Sequence, residues 1–448
     1  MSKNSPDYLV SGILPGGEIV EMVYRAGEEK TSLAVFDGEK VDYLDSVSIR
    51  DKAFSPYPAR LNIISKKVVC FPEQASEYID EKTLIKDIQE FIHSYLDMTP
   101  VFERIAIYYA MFTWVYDAFN ELPYLRFSGD YGTGKSRFLK VIGSICYKPM
   151  FTSGATTVAP IFRIIDSFRG TLILDEADFR FSDTTAEITK ILNSGYQKGN
   201  AVLRAEGQNG KYDIRPFDVF CPKIIATRKQ FSDIALESRC LTEELDKKLV
   251  REDILLNIPE SFEGQALELR NKLLLWRFRN LKRVGIRKEN VDRSIEPRLA
   301  QIMTPLLSII EDEAVRAEIC KLAREYNQDF TEERNMSFDA EILGAILQCF
   351  ENGLIKPTIK EIADKYNQPY SNDRDKILPR RMGSIIRRLK LKSTRENHGY
   401  VLSEAENRGR LTILKKRYGH DDVEPVNEVN NVNVEEQGAE VTDTQLPF

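Results

Sequence analysis

The sequence predicts an α/β protein of several domains, and three observations predict it. Between residues 123 and 230, apolar strand-like runs alternate with amphipathic helical runs, the pattern of a layered α/β core. At the first strand-to-helix junction of that stretch stands GDYGTGKS, Gly129 to Ser136, which fits G-x-x-x-x-G-K-[ST]. On either side the period changes, to short β-like runs before and to charged helical runs after.

The elements follow in order. Residues 1–78 carry GEIVEMVYR, TSLAVFDGEKV and RLNIISKKVVCF, short apolar runs broken by Gly and Pro, with FDGEK as a hairpin turn. They predict a small β-rich N-terminal domain. Residues 79–122 hold two helical runs, LIKDIQEFIHSYL and FERIAIYYAMFTWVYDAF, a helical connector. Their aromatic stripe of Tyr108, Tyr109, Phe112, Trp114 and Phe119 reads as core. In the core, 123–242, PYLRFSG is a strand leading into the glycine-rich loop and KSRFLKVIGSICY the helix after it, while TLILDEAD and CPKIIATR are further strands. Residues 243–335 read as a helical lid.

Near the C-terminus, FDAEILGAILQCFENG is a helix ended by Gly, and TIKEIADKYNQ is a second, capped by Thr358. LPRRMGSIIRRLKL is a third, followed by KSTRENHGYVL and LTILKKRY as two strand-like runs. Residues 336–418 thus predict a winged helix. Residues 419–448 have the composition of a disordered tail.

Composition bounds the class. The 448 residues are 42% hydrophobic and 29% charged, ordinary for a soluble globular protein. No apolar run reaches the ~18–20 residues of a membrane span, and the start lacks a basic region followed by an apolar core. A cytoplasmic protein is expected. Six scattered cysteines without a C-x-x-C pair argue against zinc and against a disulfide framework. The net charge of −6 is uneven: eight acids and no Lys or Arg follow Gly419, leaving about +2 on the other 418 residues.

The loop Gly129, Asp130, Tyr131, Gly132, Thr133, Gly134, Lys135 and Ser136 has the chemistry of an ATP phosphate cradle. Backbone N–H groups and the helix N-terminus would face the phosphates, Lys135 would reach the terminal ones, and the Ser136 hydroxyl would ligate Mg²⁺. Forty residues after Lys135, TLILDEAD ends a strand in Asp175 and Glu176. Asp175 is expected to hold the magnesium and Glu176 to act as general base toward the attacking water. Thr227 ends KIIAT, where a polar side chain can orient that water. Arg239, in ALESRC, fits an arginine supplied to a neighbouring subunit's γ-phosphate, which implies a ring or filament. Arg298, in SIEPRLAQIMTPLL, is a second candidate phosphate sensor, on the lid.

Before KIIATR, AVLRAEGQNGKYDIRPFDVF reads as a hairpin turning at Asn209-Gly210, with Lys211 near its tip and Arg204 and Arg215 on its arms. Such a hairpin could face the pore of a ring and grip a single DNA strand.

GDYGTGKS, LILDEAD, the RAEGQNGKYDIR hairpin, KIIATR and ALESRC, in this order and spacing, resemble the helicase ATPases of phages, plasmids and genomic islands. These are superfamily-3 and minichromosome-maintenance-like members of the AAA+ class. The resemblance covers roughly residues 80–310. It implies a P-loop AAA+-type core and a homo-hexameric motor that moves on DNA. Two departures stand out: superfamily-3 members usually end the third strand in Asn where this chain has Thr227, and no primase-like metal cluster precedes the motor.

The third C-terminal helix adds a basic surface. Arg380, Arg381, Arg387, Arg388, Lys390 and Lys392 could each neutralise a DNA phosphate. The last residues, VTDTQLPF, resemble the tip of bacterial single-strand-binding protein, which implies docking of host replication proteins through Phe448. The leading expectation is an ATP-dependent DNA helicase or translocase in replication of a mobile element. An ATP-regulated DNA-binding initiator or regulator without unwinding is the alternative, and a defence-system ATPase a third.

Overall fold

The computed structural model describes residues 7–152, 156–175, 183–208, 211–231, 233–245, 251–335, 338–369, 376–397 and 399–420. The chain divides into two compact units, Met1–Gln328 and Asp329–Phe448.

The first unit opens with seven strands: β1 (Asp7–Tyr8), β2 (Ser11–Ile13), β3 (Ile19–Arg25), β4 (Lys30–Phe36), β5 (Val41–Leu44), β6 (Val47–Ile49) and β7 (Lys52–Ser55). They make a four-stranded sheet in the order β2-β3-β4-β5 and a three-stranded one in the order β1-β7-β6. The β4–β5 turn closes on the Asp37 carboxylate, which accepts the N–H groups of Lys40 (2.9 Å) and Glu39 (2.8 Å). Those bonds hold the carboxyl below its ordinary range. After a short α1 (Asn62–Ser65) come α2 (Glu81–Tyr95) and α3 (Pro100–Thr113). Asp80 caps α2 by accepting the Thr83 N–H at 2.7 Å. Leu84, Ile88, Phe91, Ile92 and Tyr95 form its buried stripe. The aromatic residues of α3 and the turn after it are core.

The central sheet contains β8 (Tyr124–Gly129), β9 (Met150–Thr152), β10 (Leu172–Leu174), β13 (Lys223–Thr227) and β14 (Cys240–Leu245), all parallel, in the order β14-β8-β13-β10-β9. Parallel neighbours require crossovers, and α4 (Lys135–Ile145), α5 (Val158–Phe168), α6 (Asp183–Ser194) and the short α7 (Ile234–Glu237) lie between strands in sequence. A hairpin of β11 (Val202–Gln208) and β12 (Lys211–Phe217) interrupts the run before β13. Two strands were not legible in the sequence. β9 is only three residues long, and β14 reads CLTEEL, whose acids suit a helix better than a strand.

The unit ends with α8 (Phe262–Asn280), α9 (Pro297–Leu307) and α10 (Glu313–Asn335), which contains the boundary between the units. α8 packs on α2 and α4. A buried ionic cluster ties the N-terminal strands to this core. Glu21 of β3 receives Lys148 Nζ at 2.7 Å and Arg277 Nε at 2.7 Å, and Arg277 also pairs with Asp117 at 2.7 Å.

The second unit holds α11 (Phe338–Glu351), α12 (Ile359–Asn367), α13 (Pro379–Arg388), the antiparallel pair β15 (Ser393–Glu396) and β16 (Gly399–Leu402), and α14 (Glu404–Arg417). Its core includes Ile342, Ile346, Ile362, Met382, Ile386 and Leu414. Thr358 and Glu361 form a reciprocal capping box on α12. Both strands of the pair come from KSTRENHGYVL. LTILKKRY, expected as the second strand, is helical instead. Ser403 caps α14, acids occupy its first turn and Lys415, Lys416 and Arg417 its last, which complements the helix dipole. No helix among the described residues is long and apolar enough to cross a membrane.

Candidate functional site

β8 is buried from Tyr124 to Ser128 and delivers Gly129 to the glycine-rich loop. A side chain at Gly129 would meet the Leu245 carbonyl at 2.5 Å, because β14 runs alongside. Gly132 (φ +81°) and Gly134 (φ +84°) take the left-handed backbone that turns the chain into α4. Lys135 Nζ donates to the carbonyls of Gly129 (2.6 Å) and Asp130 (2.7 Å), closing the loop on itself. Thr133 Oγ1 donates to the Asp130 carbonyl at 2.9 Å. Tyr131 stands exposed.

Asp175 follows β10 directly, and its N–H donates to the Thr152 carbonyl at 3.2 Å. Asp175 and Ser136 line one cavity. β13 lies between β8 and β10, so its last residue, Thr227, sits between the loop strand and the Asp175 strand, paired in register with Ser128. Thr227 is 1% exposed, and its Oγ1 has no hydrogen-bond partner. A buried hydroxyl without a partner is costly unless a ligand or water completes it. An ammonium, a hydroxyl, a carboxylate and the positive end of α4 converge here. These groups have the chemistry to take a magnesium–triphosphate, and Ser136 and Asp175 are the residues that could ligate the ion. Glu176, expected as general base, lies outside the described residues.

Arg239 lies at the other end of the sheet. It precedes Cys240, which pairs with Tyr124 at the amino end of β8. A six-residue strand separates that end from Gly129, roughly 20 Å at ~3.3 Å per residue. Arg239 is 5% exposed, stacks 4.1 Å over Tyr196 and donates to Asn193 Oδ1, while its Nε has no partner. Asn193 also donates to Asp233 Oδ2 at 2.7 Å, the main cause of a lowered Asp233 pKa. The segment is pinned by Arg126, whose guanidinium takes both oxygens of Glu237 inside the protein.

Arg298 is exposed in the first turn of α9. One turn on, Gln301 donates to Glu121 at 2.9 Å, just before β8 begins. Through that bond the first turn of α9 lies beside the segment that enters the amino end of β8.

In the hairpin, Gln208 pairs with Lys211; Asn209, Gly210 and the Lys211 side chain lie outside the described residues. Arg204 and Arg215 stand opposite each other. Arg204 donates to Glu187 of α6 at 2.7 Å and stacks 5.0 Å from Phe162. Arg215 is exposed.

The basic residues of the second unit divide. Arg380, Arg387 and Lys392 line a groove of about 860 Å³ with Lys360 and Tyr400, between the start of α12, one face of α13 and the β15–β16 pair. Arg388 pairs with Asp339, and Arg381 lies 5.8 Å over Phe338, so both face α11. Lys390, exposed, takes a left-handed backbone after α13. The tail with Phe448 lies outside the described residues.

Sequence reasoning missed Asn193, Glu237 and Arg126. Their partners lie 40 to 111 residues away, and no local pattern marks such pairs.

No protein-family model matches the chain, and no curated protein does. Solved structures do. The apo C-terminal region of NrS-1 is 12% identical, covering 86% of this chain and 96% of that one, with a TM-score of 0.38. SCCmec type IV Cch, described as an active helicase, is 11% identical over 91% of this chain and 80% of its own, with a TM-score of 0.44. The JCV helicase is 10% identical over 56% and 61%, with a TM-score of 0.23. These are distant likenesses, and the functional reading stands on the residues.

Proposed function

We propose that the chain is an ATP-driven DNA translocase of the helicase type, working as a ring of identical copies in the replication of a phage, plasmid or genomic island. The observation that carries the reading is the meeting of Lys135, Ser136, Thr227 and Asp175 at the carboxyl ends of three adjacent strands, with a buried, unpartnered hydroxyl among them.

On this reading, Lys135 leaves the carbonyls of Gly129 and Asp130 for the terminal phosphates, and the α4 N-terminus takes the rest of their charge. Ser136 and Asp175 would hold magnesium, which would neutralise charge building on the phosphate oxygens. Thr227 Oγ1 orients the attacking water and Glu176 accepts its proton. Arg239 acts on the nucleotide of a neighbouring copy. The helices within 243–335 form the lid. The hairpin bearing Lys211 and Arg215 contacts a single strand. Residues 336–418 are a winged helix whose groove, with Arg380, Arg387 and Lys392, takes duplex phosphates. The acidic tail recruits host replication proteins through Phe448.

Unwinding of a forked duplex, followed with and without ATP, tests the proposal. The expected result is ATP-dependent unwinding and DNA-stimulated hydrolysis, both lost in Lys135→Ala. Hydrolysis indifferent to DNA, with no unwinding, overturns it. Tight duplex-selective binding without unwinding would instead favour a DNA-binding initiator or regulator controlled by ATP.

A further inference from the structure

We propose that the cavity running along α4 is a second ligand site, built for a small molecule with an apolar body and one anionic group. Its volume is about 640 Å³, within the range of small-molecule sites. Ser136 borders it near the start of α4 and Ser144 near the end, about 12 Å apart at ~1.5 Å per residue. Leu139, Phe151, Ile173 and Val68 give it apolar walls. It shares Ser136 and Asp175 with the phosphate site but no residue from Gly129 to Lys135, so it extends from that site along α4.

The anionic group is called for by Arg270 of α8. This guanidinium lines the cavity and is 5% exposed. Among the described residues it makes one hydrogen bond, from Nη1 to the Ser144 carbonyl at 2.6 Å, and its Nε has no partner. No carboxylate lies within ion-pair distance of it among the described residues. Two other buried arginines of the same unit are fully answered: Arg126 by Glu237, and Arg277 by Glu21 and Asp117. Arginine does not shed its proton in proteins, so Arg270 keeps its charge and has N–H donors, beyond the one on the Ser144 carbonyl, that could serve an anion. Lys67 and Lys140 add positive charge to the wall, against Glu263. A sulfonate, carboxylate or phosphate at Arg270 would leave an apolar body among Leu139, Phe151 and Ile173. The near end of that body would reach Ser136 and Asp175. Coupling to nucleotide binding therefore rests on the ATP reading, while occupancy of the cavity does not.

Cys70 provides the reporter. It lines the cavity and is half-buried, and burial raises its thiol pKa. Cys320, in α10, is also half-buried but outside the cavity, and serves as the internal control. The full chain is alkylated with N-ethylmaleimide, without nucleotide, in the presence and absence of anilinonaphthalene sulfonate, and the two cysteines are read by peptide mass spectrometry. The probe is expected to slow alkylation of Cys70 about tenfold or more and to leave Cys320 unchanged. Arg270→Leu should weaken the probe's affinity about tenfold to 100-fold, the loss of a charge-assisted bond. Its melting temperature should hold or rise, because a buried unpaired charge is gone; an arginine kept only for structure would lower it. Arg270→Lys, which keeps the charge, should protect Cys70 as wild type does. Lys135→Ala should also retain protection, which separates this cavity from the phosphate loop. Unchanged Cys70 alkylation at saturating probe, or wild-type probe affinity in Arg270→Leu, overturns the proposal.

Discussion

Replacing Arg277 with Met tests how the N-terminal strands are held to the core. Arg277 is 1% exposed and donates to Glu21 at 2.7 Å and to Asp117 at 2.8 and 2.7 Å, with a further bond to the Trp114 carbonyl. Lys148 and the Tyr147 hydroxyl also serve Glu21. The cluster therefore balances two acids with two cations. Met fills much of the same volume but leaves Asp117 unanswered. Breaking a buried pair from one side costs about 3–5 kcal/mol. Unfolding entropy of ~2.1 cal/mol/K per residue gives about 0.7 kcal/mol/K for a unit ending at Gln328. The expected fall in melting temperature is thus about 4–7 °C, read by calorimetry or circular dichroism. A shift below about 1 °C would refute the reasoning, since it would mean that the cluster contributes no net constraint.

The same cluster carries a pH signature. Burial, aided by the nearby Arg277 charge, lowers the Lys148 pKa to about 8 against the pull of Glu21. An unfolded lysine keeps its proton to about 10.4. Between those values the unfolded state binds more protons, so this residue's contribution to stability rises with pH there and is flat below pH 8. In Arg277→Met the repulsion is gone, and the rise should begin at higher pH.

Three further outcomes follow from the sites. Thr227→Val removes a buried hydroxyl without a partner, so melting should hold or rise, while turnover falls on the order of tenfold to 100-fold as the water loses its orientation; undiminished turnover would clear Thr227 of that role. Arg380→Ala and Arg387→Ala should each reduce the salt dependence of DNA binding by about one unit of slope. Arg388→Ala, already paired with Asp339, should leave it unchanged, and equal effects at all three positions would dissolve the groove as a site. Gly129→Ala sets a Cβ 2.5 Å from the Leu245 carbonyl and should cost about 1–3 kcal/mol, seen as earlier melting and weaker nucleotide binding.

How far the sequence could be read depended on the range of each interaction. The glycine-rich loop, the strands around it and the hairpin are encoded within windows of ten to twenty residues, and the positions of Lys135, Asp175 and Thr227 were legible there. The order of the strands was not. β13 enters between β8 and β10 through pairings about one hundred and about fifty residues apart, Ile224 with Leu125 and with Ile173, and only that order brings Thr227 beside the loop. The partners of the surface cations were illegible for a similar reason. Arg204, Arg381 and Arg388 look alike as solvent-facing cations in sequence, but each is engaged by a residue of another element: Glu187, Phe338 and Asp339. LTILKKRY has the apolar content of a strand, yet the cap at Ser403 lies outside that window and makes the segment helical.

The polarity of the central sheet decides what Arg239 can do. Lys135, Thr227 and Asp175 stand at its carboxyl end, and Arg239 at its amino end. A strand of six residues, roughly 20 Å, keeps them apart, and paired strands do not shorten. If Arg239 serves a phosphate, that phosphate belongs to another copy. Leaving its seat means giving up the bond to Asn193 and the stack on Tyr196, together about 1–3 kcal/mol, while its Nε has no bond to lose. Charge developing on a neighbour's nucleotide can offset that cost. Arg239→Ala should therefore bind nucleotide as wild type does and hydrolyse it poorly, and Lys135→Ala should do neither. Mixed in equal amounts, the two inactive variants form a hybrid interface whenever a Lys135→Ala copy presents its Arg239 to an intact loop. In a head-to-tail assembly with random mixing, about a quarter of the interfaces are of that kind, and hydrolysis should recover to about a quarter of wild type. A mixture no more active than its separate components would confine each site to a single chain and leave Arg239 a structural residue.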